Sequence, residues 1–387
     1  MVRPLALAVL LALPVTLGAQ RIKLPASLSE LESRAQKDSD DAAAQYNVAL
    51  AYWSAKRFDD ADSAFHRALK LDARFAPAYV GLAFLPYAER SSLGDEVYED
   101  EVPADWKPKV KAADEMYSRA LIIDPLSDLR LAGAVRISSE GAQAFLKEWY
   151  GEWAADLEEG EDFYYTGNFD KAYNDFTRVT RDFRGTIPSD ILVYHGLSAA
   201  QVGKNDEALA DFQTLTDRLS KEEKRDSTLH IPLKTNDYRY IVGVIQERLG
   251  KLNDAIDTYR TAAQNDLGLF MAHVHLANMY EQHAMWAQAI RERQQAASAN
   301  PDDPSLLLDL GETYAQAGQW QDAEKALTDA QAGNPRDPRV PYYLGVIEMQ
   351  LNKKDEAKNA LNRFIAIAPS RFQRQVDDAK KRLGSLH

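Results

Sequence analysis

The sequence predicts an all-α chain, a right-handed superhelical solenoid of about eight helix hairpins with a C-terminal capping helix. Three observations predict it. Ala255, Ala289, Ala323 and Ala357 are each 34 residues apart. Each sits in one recurring frame, clearest in Leu310-Gly311, Tyr314, Gly318, Trp320, Ala323, Leu327, Ala330 and Pro335. Within that frame Leu307, Leu310, Gly311 and Tyr314 fall at i, i+3, i+4 and i+7, a single apolar stripe on a 3.6-residue period.

The frame reads as helix, turn, helix. Gly318 supplies the break, and the small residues Ala323 and Ala330 beside Leu327 let a second helix approach closely. Asn334-Pro335 stops that helix. The scheme recurs in Leu344-Gly345, Ala357, Leu361 and Pro369; in Leu276-Ala277, Tyr280, Trp286, Ala289, Ala296 and Pro301; and in Val242-Gly243, Gly250, Ala255, Tyr259 and Ala262. These residues resemble the tetratricopeptide repeat family, whose 34-residue helix-turn-helix pattern of Leu-Gly, Tyr, Ala, Phe and Pro they match.

In chain order, residues 1–19 read as a leader. Arg3, the apolar run Leu5 to Leu17 and the small Gly18-Ala19 have the layout of a secretory signal peptide cleaved after Ala19, with an uncleaved membrane anchor as the alternative. Residues 20–41 are a polar lead-in. Residues 42–125 hold two hairpins: Val48-Ala49, Tyr52, Phe58, Ala61, Phe65 and Ala68, then Tyr79, Gly81-Leu82, Ala113, Tyr117, Ala120 and Pro125. The second is lengthened by about 18 residues over the period, in a loop carrying Asp95, Glu96, Glu99, Asp100, Glu101 and Asp105. That loop lacks the alternating ligands and central glycine of a calcium-binding loop, so a solvated acidic loop is expected.

Residues 126–160 fit the frame worst. There Phe145, Trp149 and Trp153 recur at i, i+4 and i+8 on one helix face, which either packs on neighbouring hairpins or anchors a partner. Residues 161–235 carry further hairpins (Phe163, Gly167, Ala172, Phe176; Gly196, Gly203, Ala208, Phe212) and end in a charged insertion from residue 217. Residues 236–369 are the four regular repeats, and 370–387 a polar amphipathic helix that covers the open end of the stack.

Composition narrows the function. The net charge is −13 and no basic stripe interrupts it, so nucleic acid is not expected as a partner. There is no cysteine, which removes disulfides, a thiol nucleophile and a lipidated cysteine. Catalytic constellations are missing too. Gly196 to Lys204 has the glycines of a phosphate loop at the wrong spacing, with Asn205 in place of the metal-binding hydroxyl. His273 and His275 diverge around a helix, and His283 lies two turns further on, so no metal site is expected. No catalytic residue, cofactor or metal is assigned.

The resemblance implies a surface that binds peptides or partner proteins, lined by the first helix of each hairpin. Beside each packing stripe runs a second one: Tyr46, Leu50 and Trp53; Tyr240, Val244 and Glu247; Val274, Asn278 and Glu281; Leu308, Glu312 and Ala315; Tyr342, Val346 and Met349. Aromatic and Met side chains there offer apolar anchorage, Asn and Glu hydrogen bonds. The Lys, Asn and Arg clamp of the family's chaperone-tail receptors is replaced by Glu and apolar residues, which argues against that role. With the leader, the expected protein is an exported, non-enzymatic scaffold in the bacterial periplasm, holding a protein or peptide in an envelope complex. The alternatives are an accessory subunit docked on a membrane complex through Phe145, Trp149 and Trp153, and an enzyme or small-ligand binder built on residues 86–160.

Overall fold

A computed structural model describes residues 26–92, 107–126, 152–225 and 235–386. Every regular element among them is helical. A lead helix α1 (Leu28–Lys37) is followed by hairpins α2 (Ala42–Ser54) with α3 (Phe58–Leu71), α4 (Ala76–Ser92) with α5 (Lys107–Ile123), α6 (Glu152–Thr166) with α7 (Phe169–Asp182), and α8 (Ser189–Gln201) with α9 (Asn205–Arg225). Four more follow: α10 (Thr235–Arg248) with α11 (Leu252–Asn265), α12 (Phe270–Gln282) with α13 (Trp286–Ala299), α14 (Pro304–Gln316) with α15 (Trp320–Gly333), and α16 (Arg339–Gln350) with α17 (Lys354–Ile367). A 3₁₀ turn, Ser370–Phe372, leads into the capping helix α18 (Gln373–Ser385). This is the expected helical-hairpin solenoid with its cap.

Two boundaries differ from the sequence reading. Helix α6 begins at Glu152, so the end of the stretch read as irregular is the first helix of the third hairpin. Helix α9 runs on to Arg225, because Lys, Glu and Arg in the charged stretch are good helix formers. The leader, the acidic loop from Asp95 to Asp105, Phe145 and Trp149 lie outside the described residues.

The chain forms two compact units. One includes Tyr46–His66 and Arg74–Thr258; the other comprises Glu32–Gln45, Arg67–Ala73 and Tyr259–His387. In the first unit glycines on first helices receive the large side chains of the second: a Cβ on Gly160 would lie 3.0 Å from the Phe176 ring, and one on Gly196 2.8 Å from Phe212. Tyr194 stacks on Phe176 across 5.4 Å. Buried His195 places Nδ1 2.6 Å from the Asp211 carboxylate and Nε2 3.2 Å from the Thr177 hydroxyl, tying α8 to α9 and α7.

The second unit repeats the device with leucine. A Cβ on Gly311 would lie 2.7 Å from Leu327 Cγ, and one on Gly345 2.6 Å from Leu361 Cγ. Each leucine is fully buried, a burial worth about 1.5–3 kcal/mol. Successive hairpins are joined by one recurring bond: Arg260 Nη2 donates to the Tyr280 hydroxyl at 2.6 Å, and Gln294 Nε2 to the Tyr314 hydroxyl at 2.8 Å. Helix α14 starts on Asp303, whose side chain accepts from Ser305 N at 3.0 Å, with Pro304 at the first position. At the end, Val376, Ala379, Leu383 and Leu386 cover Leu361 and Phe364.

Candidate partner-binding site

The second unit holds a cationic side chain where the frame calls for an apolar one. Four residues after the frame alanine stand Phe176, Phe212, Tyr259, Leu327 and Leu361 in other hairpins; in α13 the residue is Arg293. The glycine that receives it in α6, α8, α14 and α16 is here Ala277. Arg293 is only 6% exposed. Burying an unpaired guanidinium would be prohibitive, and its partners are supplied by the first helices on either side.

From α12, Asn278 Oδ1 accepts from Arg293 Nη2 at 2.7 Å, and the Glu281 carboxylate accepts from Nη2 and Nε, both at 3.1 Å. This fork against a planar carboxylate is the geometry in which arginine binds most strongly. From α14, the Thr313 hydroxyl donates to Glu281 at 2.5 Å, and Asp309 lies 3.7 Å from Nη1. One turn along α14, Glu312 is pushed up to about 7 by burial and by neighbouring Asp309, against the opposing pull of Tyr343, Arg339 and Arg293. Tyr343 of α16 is hydrogen-bonded to Glu312 and is itself raised to about 12 by burial and the Glu312 charge. Arg339 forks onto Asp337 at 3.0 and 2.6 Å. Asn278, Glu281, Asp309, Glu312, Tyr343 and Arg339 thus form a continuous polar strip across three consecutive first helices.

The residues singled out from sequence separate here. Asn278, Glu281 and Glu312 lie in the strip, half-buried; Tyr342, Val346 and Met349 are half-buried on α16. Tyr46, Trp53 and Glu247 are half-buried too, with Tyr46 packed on Phe65 and Phe75 and Trp53 edge-on to Phe65. Leu50, Tyr240, Val244, Val274 and Leu308 are a correction to the groove assignment, since all five are buried. Leu308 shows why: its side chain packs with Leu327, Val340 and Leu344, so the following hairpin takes the face that periodicity alone leaves open. Trp153 is half-buried, edge-on to Phe183 at 5.1 Å.

Arg293 lies on a second helix and so belongs to no first-helix stripe. Its signal is the broken frame position.

The decoys resolve as packing. His273 Nδ1 lies 2.7 Å from Glu292, His275 stacks on Tyr259 at 5.0 Å, and His283 is exposed. Gly196 is buried inside α8, while Gly203 is the turn glycine. Among the described residues no three His, Asp or Glu side chains converge as metal ligands, and no helix is long and apolar enough to cross a membrane.

Comparison with known proteins agrees with this architecture. Residues 42–75 match the model of the tetratricopeptide repeat, and residues 199–365 match that of the cilia and flagella-associated protein 70 C-terminal domain. The chain is a tetratricopeptide repeat protein. The C-terminal part of a TPR repeat-containing protein from Cytophaga hutchinsonii is similar in fold, with a TM-score of 0.50 at 14% identity over 59% of this chain and 87% of that one. The Cut9–Hcn1 hetero-tetramer of the APC/C has a TM-score of 0.39 at 15% identity, over 92% and 81% of the two chains. MamA from Desulfovibrio magneticus has a TM-score of 0.38 at 16% identity, over 46% of this chain and 94% of that one. No curated protein matches. Tetratricopeptide repeats are protein-interaction scaffolds, and that coarse role extends to this one.

Proposed function

We propose that this tetratricopeptide repeat protein is a non-enzymatic scaffold that holds a segment of a partner protein across the first helices α12, α14 and α16. The single observation that carries the reading is Arg293. A buried ion pair is weak evidence for stability, since an apolar residue in the frame position would pack at no electrostatic cost. Its retention beside half-buried Asn278, Glu281 and Glu312 fits a polar anchor for a bound backbone, with Val346 and Met349 as adjacent apolar contacts. The signal-peptide layout of residues 1–19 supports reading this activity as exported to the periplasm, within an envelope complex and in peripheral association with a membrane.

The test is a crosslinking pull-down from envelope fractions with the native protein and with Glu312→Lys and Val346→Asp variants, whose substitutions fall on half-buried positions. A discrete partner captured by the native protein and lost from both variants, with helicity unchanged by circular dichroism, supports the reading. Equal capture by native protein and variants removes the site, and capture from the cytosolic fraction alone removes the export.

A further inference from the structure

Residues close to the beginning of the chain and residues close to its end share the second unit. Their meeting is electrostatic. Asp41, whose Oδ1 also accepts from Ala43 N at 3.0 Å and so is fixed at the start of α2, places Oδ2 2.9 Å from Arg371 Nη1. Asp40 Oδ1 is buried without a hydrogen-bond donor, and Arg336 Nη1 stands 3.7 Å from it. Asp72, just past the end of α3, acts electrostatically on Arg339. Every one of these residues lies in a loop between hairpins or at a helix end: Asp40 and Asp41 before α2, Asp72 after α3, Arg336 and Arg339 at the entry to α16, and Arg371 in the turn before α18. The contacting groups are aspartates on one side and arginines on the other, and Arg339 is also held by Asp337.

We infer that Asp40, Asp41 and Asp72 form, with Arg336, Arg339 and Arg371, a charge latch that fastens the N-terminal hairpin's loops onto the last two hairpins and releases when its charge is screened. The chemistry suits a releasable contact. Arg336 is 73% exposed and Arg371 49%, and ion pairs at such exposure are individually weak and fall off within a Debye length of about 8 Å at physiological salt. Several pairs acting on one contact add up to a contact that holds at low ionic strength and yields as salt rises. The polar strip on α12, α14 and α16 belongs to the same unit, so the latch acts on the body that carries it. This inference stands independently of the scaffold reading, because it concerns only the chain's own ends.

The absence of cysteine makes the test direct. Spin labels on Ser39→Cys and Gln373→Cys, both exposed positions flanking the Asp41–Arg371 pair, are measured by pulsed electron paramagnetic resonance in the full chain. A short, narrow distance is expected at low salt, and its loss is expected both in about 1 M NaCl and in the protein carrying Arg336→Glu with Arg371→Glu, with unchanged circular dichroism. Persistence of the short distance under either condition overturns the latch. So does a short distance found only when singly labelled proteins are mixed, which would assign the contact to two chains.

Discussion

One backbone conformation recurs at the turn of seven hairpins, five residues before the frame alanine. Gly167, Gly203, Gly250 and Gly318 adopt φ of 71 to 80° there, while Lys56, Ala284 and Asn352 hold the same left-handed state at 53 to 59°. A Cβ in that region costs about 1–2 kcal/mol, so Ala284→Gly is expected to stabilise the protein by about 1 kcal/mol, as a rise in the urea midpoint with unchanged slope. Arg293 makes the opposite demand. Arg293→Leu leaves the Glu281 carboxylate buried without its cation and is expected to cost about 3–5 kcal/mol, whereas adding Glu281→Leu recovers most of the loss while abolishing partner capture. Recovery of binding along with stability would count against the site. Glu312 supplies a pH signature. Its carboxyl is raised from 4.5 to about 7 by burial, so the folded state holds a proton that the unfolded state has released. Its contribution is complete below pH 4.5 and is lost as pH rises to about 7. Glu312→Gln should therefore flatten the decline of unfolding free energy across that window, leaving the like-signed contribution of Glu348, also raised to about 7 by burial.

At the scale of elements, the hairpins α6–α7, α8–α9, α14–α15 and α16–α17 are each a close approach of two helices through a glycine and a large apolar side chain. Gly311→Ala places a methyl 2.7 Å from Leu327 Cγ, an overpacking expected to cost about 1–3 kcal/mol. Leu327→Ala alone opens a cavity, at about 2–5 kcal/mol. The double variant should cost clearly less than the sum, because the added methyl enters the space the leucine leaves; simple additivity in urea melts would show that the two do not share that space. This frame was legible in the sequence, since Gly311 and Leu327 recur as Gly345 and Leu361 at the same stride. Which first-helix residues stay accessible was only partly legible. Leu308 and Tyr240 share a stripe with Glu312 and Glu247 by periodicity, yet a first helix has neighbours on more than one side, and the side facing the next hairpin is spoken for.

For the molecule as a whole, a stack of hairpins derives stability from each unit and its nearest neighbours rather than from one shared core. The capping helix is the terminal case. Removing residues from Gln373 onward uncovers Leu361 and Phe364, against which Ala379 and Leu386 are buried. The truncated chain is expected to lose hydrogen-exchange protection in α16 and α17 first, with α8 and α9 unaffected. Uniform loss of protection along the chain would instead mean one cooperative core.

By itself the sequence determined the architecture: the alanine stride, the turn glycines and the proline stops are local signals, and a solenoid is built from local contacts, so little more was needed to place most helices. It also singled out Asn278, Glu281 and Glu312, which stay half-buried in the polar strip. Tertiary structure alone decided which stripe residues stay accessible, that Arg293 reaches between α12 and α14 to bind Asn278 and Glu281, and that Asp41 meets Arg371. These depend on side chains that reach across to other hairpins, in one case from the far end of the chain, and a one-dimensional period carries no record of which helix occupies the facing side.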